Sequence, residues 1–314
     1  MRFYVSKCHD KLNGITYNPE TITPYICVNP YYNVTIDAGR GVSFIIDSGA
    51  FQDVGNESRL TFEAALQRQL DFEKKISKEK AEAIVSYDRL VDEQVNEKGQ
   101  FKQRVNDKLG AKYVKETIEA AEFLVSRRED LAPRKLILSC QGTSAKQYLS
   151  CIRSILKVAE PSDIIGFGGF CILSKSADYE REYYEVLTKA FPMIHKAGIS
   201  RVHIFGMGVF RALVQTDIYG RMNGIECSYD TSSPEMNSVF GKSFNPIEGQ
   251  MNYVFSKIHK GKGYHPAELA LMNTGLITHY WEKVGEMKLP NVFTPCLIQS
   301  RKPANDKGTL TIDH

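Results

Sequence analysis

The sequence predicts a (β/α)8 barrel, an α/β fold in which parallel strands alternate with helices, on three observations. Short and almost continuously apolar runs recur along the 314 residues, each ends in a polar or glycine-rich tip, and helix-length segments separate them. Strands that are apolar on both faces belong to parallel sheets covered by helices, and repetition of that unit closes a barrel. Active sites of such barrels stand at the C-terminal ends of the strands, so the polar tips are read as chemistry first.

The first strand falls at 3–6, and 13–40, rich in Pro, Asn, Thr and Tyr, reads as an irregular or β-hairpin decoration. Ser43-Phe44-Ile45-Ile46 then runs into Asp47-Ser48-Gly49-Ala50-Phe51-Gln52, the most informative stretch of the chain. Residues 60–78 place Phe62, Ala65, Leu66, Leu70 and Phe72 at helical spacing. Ile84-Val85-Ser86-Tyr87 leads to Asp88, and the charged stretch 91–108 reads as a solvated loop or lid before a helix at 113–128. Leu136-Ile137-Leu138-Ser139-Cys140 delivers Gln141-Gly142, Ile164-Ile165-Gly166-Phe167 delivers Gly168-Gly169, and Val202-His203-Ile204-Phe205 delivers Gly206. Ile225-Glu226-Cys227-Ser228-Tyr229 ends at Asp230. Helices are expected at 145–157, 178–196 and 210–219, and another at 266–284 after a polar, irregular stretch over 232–250. The barrel is assigned to 1–285 and a packed or frayed C-terminal tail to 286–314.

Composition bounds the class rather than the function. Hydrophobic residues at 42% and charged residues at 25% suit a globular domain with a sizeable core. A net charge of +3 means that nucleic-acid binding would need a local basic surface. Seven cysteines without paired spacing read as reduced core residues, which points to the cytoplasm. No signal-peptide pattern and no run of about 20 apolar residues is present, so no membrane association is expected.

Asp47 and Asp230, at the ends of different strands, are among the polar tips read as catalytic first. The ordered motifs over about 40–235 resemble the tRNA-guanine transglycosylases and their relatives that insert 7-deazaguanines into DNA. That family carries Asp-Ser-Gly-Gly-(Phe/Tyr)-Gln, here Asp47-Ser48-Gly49-Ala50-Phe51-Gln52. The base-reading Asp, the Gln-Gly, the glycine-rich strand end, the Met-Gly-x-Gly-like turn and the late Asp look like Asp88, Gln141-Gly142, Gly168-Gly169, Phe205-Gly206-Met207-Gly208 and Asp230.

The resemblance implies that Asp230 is the nucleophile and Asp47 the general acid/base, whose pKa burial would raise. Phe51 on one side and Phe205 or Met207 on the other are the candidates to sandwich a flipped purine, core packing being their bland alternative. Asp88 suits the donors of a guanine-like base, and Gln141 with the Gly168 and Gly169 backbone suits its carbonyl and substituent. Ser48 reads as a helix cap or a second base contact.

Two departures from the tRNA enzymes bear on the polymer. Their zinc cluster, Cys-x-Cys-x-x-Cys with a later His, has no counterpart, since only Cys296 follows Asp230 and His259, His265 and His279 lack thiolate partners. No metal or cofactor is therefore expected. Where those enzymes place anticodon-reading arginines, this chain has Ser232-Ser233-Pro234-Glu235-Met236-Asn237. Both departures favour DNA as partner, with guanine exchanged for a free 7-deazaguanine base such as preQ0. Lys257, Lys260 and Lys262 are candidates for the nucleic-acid backbone, with Arg211 and Arg221 on the same rim. The alternatives are a divergent enzyme acting on tRNA, a catalytically silent partner subunit and a nucleoside hydrolase; helper proteins or a homodimer remain open.

Overall fold

A strand buried on both faces still alternates its side chains, and that parity decides what the barrel of this protein encloses. In the computed structural model, which describes residues 1–37, 41–53, 59–94, 101–170, 177–253 and 264–287, eight parallel strands close a barrel in chain order. They are Arg2–Lys7, Tyr25–Val28, Ser43–Ile46, Ala83–Val85, Lys135–Cys140, Ile164–Phe167, Arg201–Ile204 and Glu226–Thr231. The last pairs with the first in register Tyr4↔Asp230, which closes the cylinder. The predicted fold class is the observed one.

Phe3, Val5, Ile26, Val28, Phe44, Ile46, Leu136 and Leu138 face the outer core beneath the helices. Tyr4, Cys27, Ile45, Ala83, Val85, Ile137 and Ile164 form a second, inner cluster with Phe205. Parity therefore carries the chain from Tyr4 to Ser6, from Ile45 to Asp47 and from Ser228 to Asp230 on the luminal side. Gly166 makes the inner layer possible, because a Cβ there would stand 2.6 Å from the Phe205 ring and 3.1 Å from Ile137.

The helices begin where capping side chains permit. Thr61 accepts the Ala64 N–H at the start of Phe62–Ile76, and Ser144 accepts the Gln147 N–H at the start of Ala145–Ile155. Asn106 does the same for Leu109, so the helix expected from 113 starts at Asp107 and runs to Ser126. Ala177–Lys196 and Phe210–Met222 complete the outer layer, followed by Pro266–Glu286 with proline at its first turn. That last helix buries Ile277, Trp281 and Val284, and the Trp281 indole N–H donates to the Tyr229 hydroxyl of the eighth strand. No helix among the described residues is long and apolar enough to cross a membrane.

Three segments differ from expectation. Within 13–40 lies the barrel's second strand, Tyr25–Val28, fixed between Arg2–Lys7 and Ser43–Ile46. Among the described residues its connections on both sides carry no α-helix, so the alternation that marks the other strands is missing there. The 91–108 stretch contains an antiparallel pair, Asp92–Gln94 with Phe101–Arg104, and 232–250 contains the short helix Ser233–Ser238 and the start of a hairpin, Lys242–Asn245 with Gln250–Tyr253.

Candidate active site

The C-terminal ends of all eight strands open on one cavity of about 300 Å³, at the small end of ordinary ligand pockets. Ser6, Asn29, Asp47, Asp88, Gln141, Gly168, Phe205 and Asp230 line it, one from each strand in turn. A wider depression of about 570 Å³ lies at the opposite end against Met1, Arg2, Asp217 and Arg221. There the Met1 ammonium is paired with Asp217 at 2.8 Å and Arg221 with Asp217 at 3.1 Å, so that end is a set of structural ion pairs.

Asp47 and Asp230 sit on the same arc of the rim, with the first and second strands between them. Asn29 donates one amide N–H to Asp47 Oδ2 at 2.6 Å and the other to Gln52 at 2.8 Å, while the Ser48 N–H donates to Asp47 Oδ1 at 2.8 Å. Among the described residues all donors on the Asp47 carboxyl are neutral. Burial, followed by the nearby charges of Asp230 and Asp88, pushes its carboxyl up to about 7 against the pull of Asn29 and Ser48.

Asp230 has the opposite surroundings. Ser6 Oγ donates to its Oδ2 at 2.7 Å, and its Oδ1 receives the Gly206 N–H at 3.0 Å and His203 Nε2 at 3.2 Å. Burial pushes this carboxyl up as well, but His203, Ser6 and Gly206 together outweigh it, so Asp230 sits below the ordinary aspartate range. Two carboxyls of one cavity are thus driven apart, one towards holding a proton near neutrality and one towards remaining ionised.

Across the cavity, Gln141 donates its amide N–H to Asp88 Oδ2, and burial raises the Asp88 carboxyl despite that bond and the nearby Arg59 charge. With its amide so assigned, Gln141 Oε1 is buried without a hydrogen-bond partner among the described residues. The glycines serve this amide. A Cβ on Gly168 would lie 2.3 Å from Gln141 Nε2, and one on Gly169, whose φ is +73°, 2.9 Å from Gln141 Oε1. The Gly168 N–H is committed to the Cys140 carbonyl at 3.1 Å, and the Gly168 and Gly169 carbonyls accept from Tyr148 and Arg104. The two residues line the cavity and make room there for Gln141.

Ser48 is buried at the cavity wall, where its hydroxyl accepts the Ala50 N–H at 3.2 Å and so fixes a turn. Gly49 follows at φ +76°, with Arg68 and Tyr31 packed where a Cβ would go. Phe51 lines the mouth at 44% exposure, and Phe205 lines the wall, packed edge-on against His203 at 4.9 Å.

The structure corrects two expectations and leaves another outside its reach. Met207 is fully buried in the outer core and does not line the cavity, so Phe205 alone of the two faces the site. Arg221 lies at the N-terminal end of the barrel, away from the mouth, and the Arg211 guanidinium is held by Glu180. Lys257, Lys260 and Lys262 lie outside the described residues, as do His259, Cys171, Cys296 and 288–314. The other five cysteines are buried and free. No group of three or more metal-ligating side chains occurs among the described residues.

Ser6, Asn29 and His203 join the site without having been singled out. Each was marked by position: Ser6 and Asn29 end apolar runs, and His203 sits inside one, two residues before the Phe205-Gly206 tip.

No family model matches this sequence, and no curated protein matches it. Among solved structures, the chain is similar to the carboxyl transferase domain of Rhizobium etli pyruvate carboxylase with oxamate and biotin, at 11% identity and TM-score 0.32, covering 92% of this chain and 49% of that one. The same domain with pyruvate gives 12% identity and TM-score 0.32, covering 92% of this chain and 50% of that one. The chain spans about half the length of these proteins.

Proposed function

We propose that this protein is a base-exchange transglycosylase that replaces guanine in DNA with a 7-deazaguanine base through a covalent glycosyl–aspartate intermediate. The observation that carries the reading is the divergence of Asp47 and Asp230, one raised to about 7 and the other held below the usual range. Carboxyl pairs whose surroundings separate their proton affinities are the ordinary means of assigning an acid and a nucleophile.

In this reading Asp230 attacks the sugar C1′ as guanine leaves, and the protonated Asp47 delivers its proton to the departing base. The incoming base then attacks C1′, returns its ring proton to Asp47 and releases the Asp230 carboxylate. Asp88 accepts from the N–H groups of the guanine edge, and the orphaned Gln141 Oε1 supplies a further acceptor on that side of the cavity. A flipped base enters between Phe51 and Phe205. The preference for DNA rests on the chain after Asp230: Ser233–Ser238 carries no arginine, and its Glu235 is buried inwards on the Cys8 N–H and His9.

The test is incorporation of radiolabelled guanine or preQ0 into plasmid DNA and bulk tRNA side by side. Label in DNA that disappears with Asp230→Ala is expected. Label only in tRNA would move the reaction to the other polymer, and label in neither would contradict the activity and favour a silent subunit.

A further inference from the structure

His203 is fully buried, and its two ring nitrogens meet Ser228 and Asp230. Its Nδ1 meets Ser228 Oγ at 3.0 Å, and Ser228 in turn reaches the Val202 carbonyl at 3.0 Å. Tyr4 and Phe205 clamp the ring edge-on at 5.8 and 4.9 Å between centroids. The imidazole is thereby fixed in rotation, with Nε2 aimed at Asp230 Oδ1. Nε2–H donates there either from the neutral tautomer, with the Ser228 hydroxyl turned to Nδ1, or from the imidazolium.

The two oxygens of Asp230 are consequently unequal. A carboxylate offers about four lone-pair sites, two on each oxygen. Both on Oδ1 are taken, by His203 and Gly206, whereas Oδ2 accepts only from Ser6 among the described residues. Asp230 lines the cavity and is 13% exposed while His203 is sealed, and Oδ2 is the oxygen that keeps a lone pair no donor among the described residues takes.

Resting on the base-exchange reading, we propose that Oδ2 of Asp230 is the attacking oxygen and that His203, with the Gly206 N–H, forms a two-donor cradle for Oδ1 that governs release of the covalent intermediate. In the first step the Oδ2 electron pair forms the C1′–Oδ2 bond while the C1′–N bond to guanine breaks, its pair leaving with the base that Asp47 protonates. Oδ1 becomes the ester carbonyl, and its two hydrogen bonds weaken as the negative charge leaves. In the second step the incoming base nitrogen bonds to C1′ and loses its proton to Asp47, and the C1′–Oδ2 pair returns to Asp230. Charge reappears on the carboxylate as that bond breaks, so donors aimed at Oδ1 stabilise the leaving group in the transition state. His203 neither gains nor loses a proton. It is a positioning residue whose effect falls on the second half of the exchange.

The cradle is tested by following covalent protein–DNA adduct and base exchange together in the wild type, His203→Leu and His203→Gln, with guanine-containing DNA and labelled guanine. Leu removes the donor, and turnover is expected to fall about 100-fold, the scale for losing one such donor. The fraction of enzyme trapped as adduct should rise severalfold, because ester release becomes limiting. Gln keeps a neutral N–H and should recover turnover to within about tenfold of wild type. Adduct and turnover falling together in His203→Leu would overturn the cradle while leaving the exchange reading standing. A wild type that forms neither adduct nor exchanged product on DNA or tRNA would overturn both. Independently of activity, the 15N-histidine NMR signal of His203 Nε2 should move in Asp230→Asn, and an unmoved signal would contradict the pairing.

Discussion

The two ends of the barrel hold carboxylates in opposite ways. At the N-terminal end Glu82 receives the Tyr4 hydroxyl at 2.7 Å and Ser43, and pairs with Arg201 at 2.9 Å, Arg2 at 3.3 Å and Lys135 at 3.8 Å. Burial alone would raise its carboxyl, yet the hydroxyls and Arg201 bring it down to about 2. At the C-terminal end the Asp47 carboxyl is bonded, among the described residues, by an amide and a backbone N–H, and it rises to about 7. Among the described residues cations converge on the carboxylate at the N-terminal end, and none pairs with the one at the cavity. The same chemical group is a structural clamp at one end and a proton-holding acid at the other.

Breaking the cavity end should abolish chemistry without disturbing the fold. Under the proposed base exchange, Asp230→Ala is expected to lower exchange at least about 10⁴-fold and to eliminate covalent adduct, measured by denaturing gel, since the proposed nucleophile is gone. Asp47→Ala should reduce exchange by about 10²- to 10⁴-fold, the range for losing a general acid. In the wild type, adduct formation should decline as pH rises through about 7, because Asp47 must carry its proton in that step, and Asp47→Ala should lose this dependence.

Breaking the structural end should do the reverse. Glu82→Gln leaves Arg2, Arg201 and Lys135 without their shared anion and is expected to cost about 2 to 3 kcal/mol in a urea melt, with exchange at 25 °C retained. The signs of the pH dependence differ as well. The depressed Glu82 carboxyl contributes stability above its unfolded value near 4.5 that is lost as pH falls towards about 2. The raised Asp47 carboxyl is best accommodated below its unfolded value of 3.8, and stability declines as pH rises through about 7. The melting temperature of Asp47→Ala should therefore gain on the wild type between pH 4 and 7 and hold that gain above it.

The smallest effect sharpens the contrast at one residue. Asn29 lowers the Asp47 carboxyl by donating to it, so Asn29→Ala should move the pH limit of adduct formation upwards by a fraction of a unit. A limit that moved downwards would remove Asn29 from the acid's surroundings.

The parallel barrel was legible because seven strands announce themselves as apolar runs with polar or glycine tips, and the eighth was not because Tyr25–Val28 lies in a proline-bounded stretch with no α-helix among the described residues on either side. Asp47, Asp88, Gln141 and Asp230 could be named from strand ends, and the structure brings all four to one cavity. Met207 shows the limit of that reasoning: one residue past a glycine turn the luminal parity is lost, and the side chain enters the outer core. His203 shows the converse. Inside an apolar run it passes for core, and only the alternation of the strand places it beside Asp230.

The divergence of Asp47 and Asp230 is tested most directly by carboxyl-carbon NMR titration of protein labelled at aspartate, in the wild type, Asp47→Ala and Asp230→Ala. One resonance titrating near pH 7 and absent from Asp47→Ala, with another titrating below 3.8 and absent from Asp230→Ala, is the result expected. Both carboxyls titrating together in the ordinary aspartate range would contradict the assignment of acid and nucleophile.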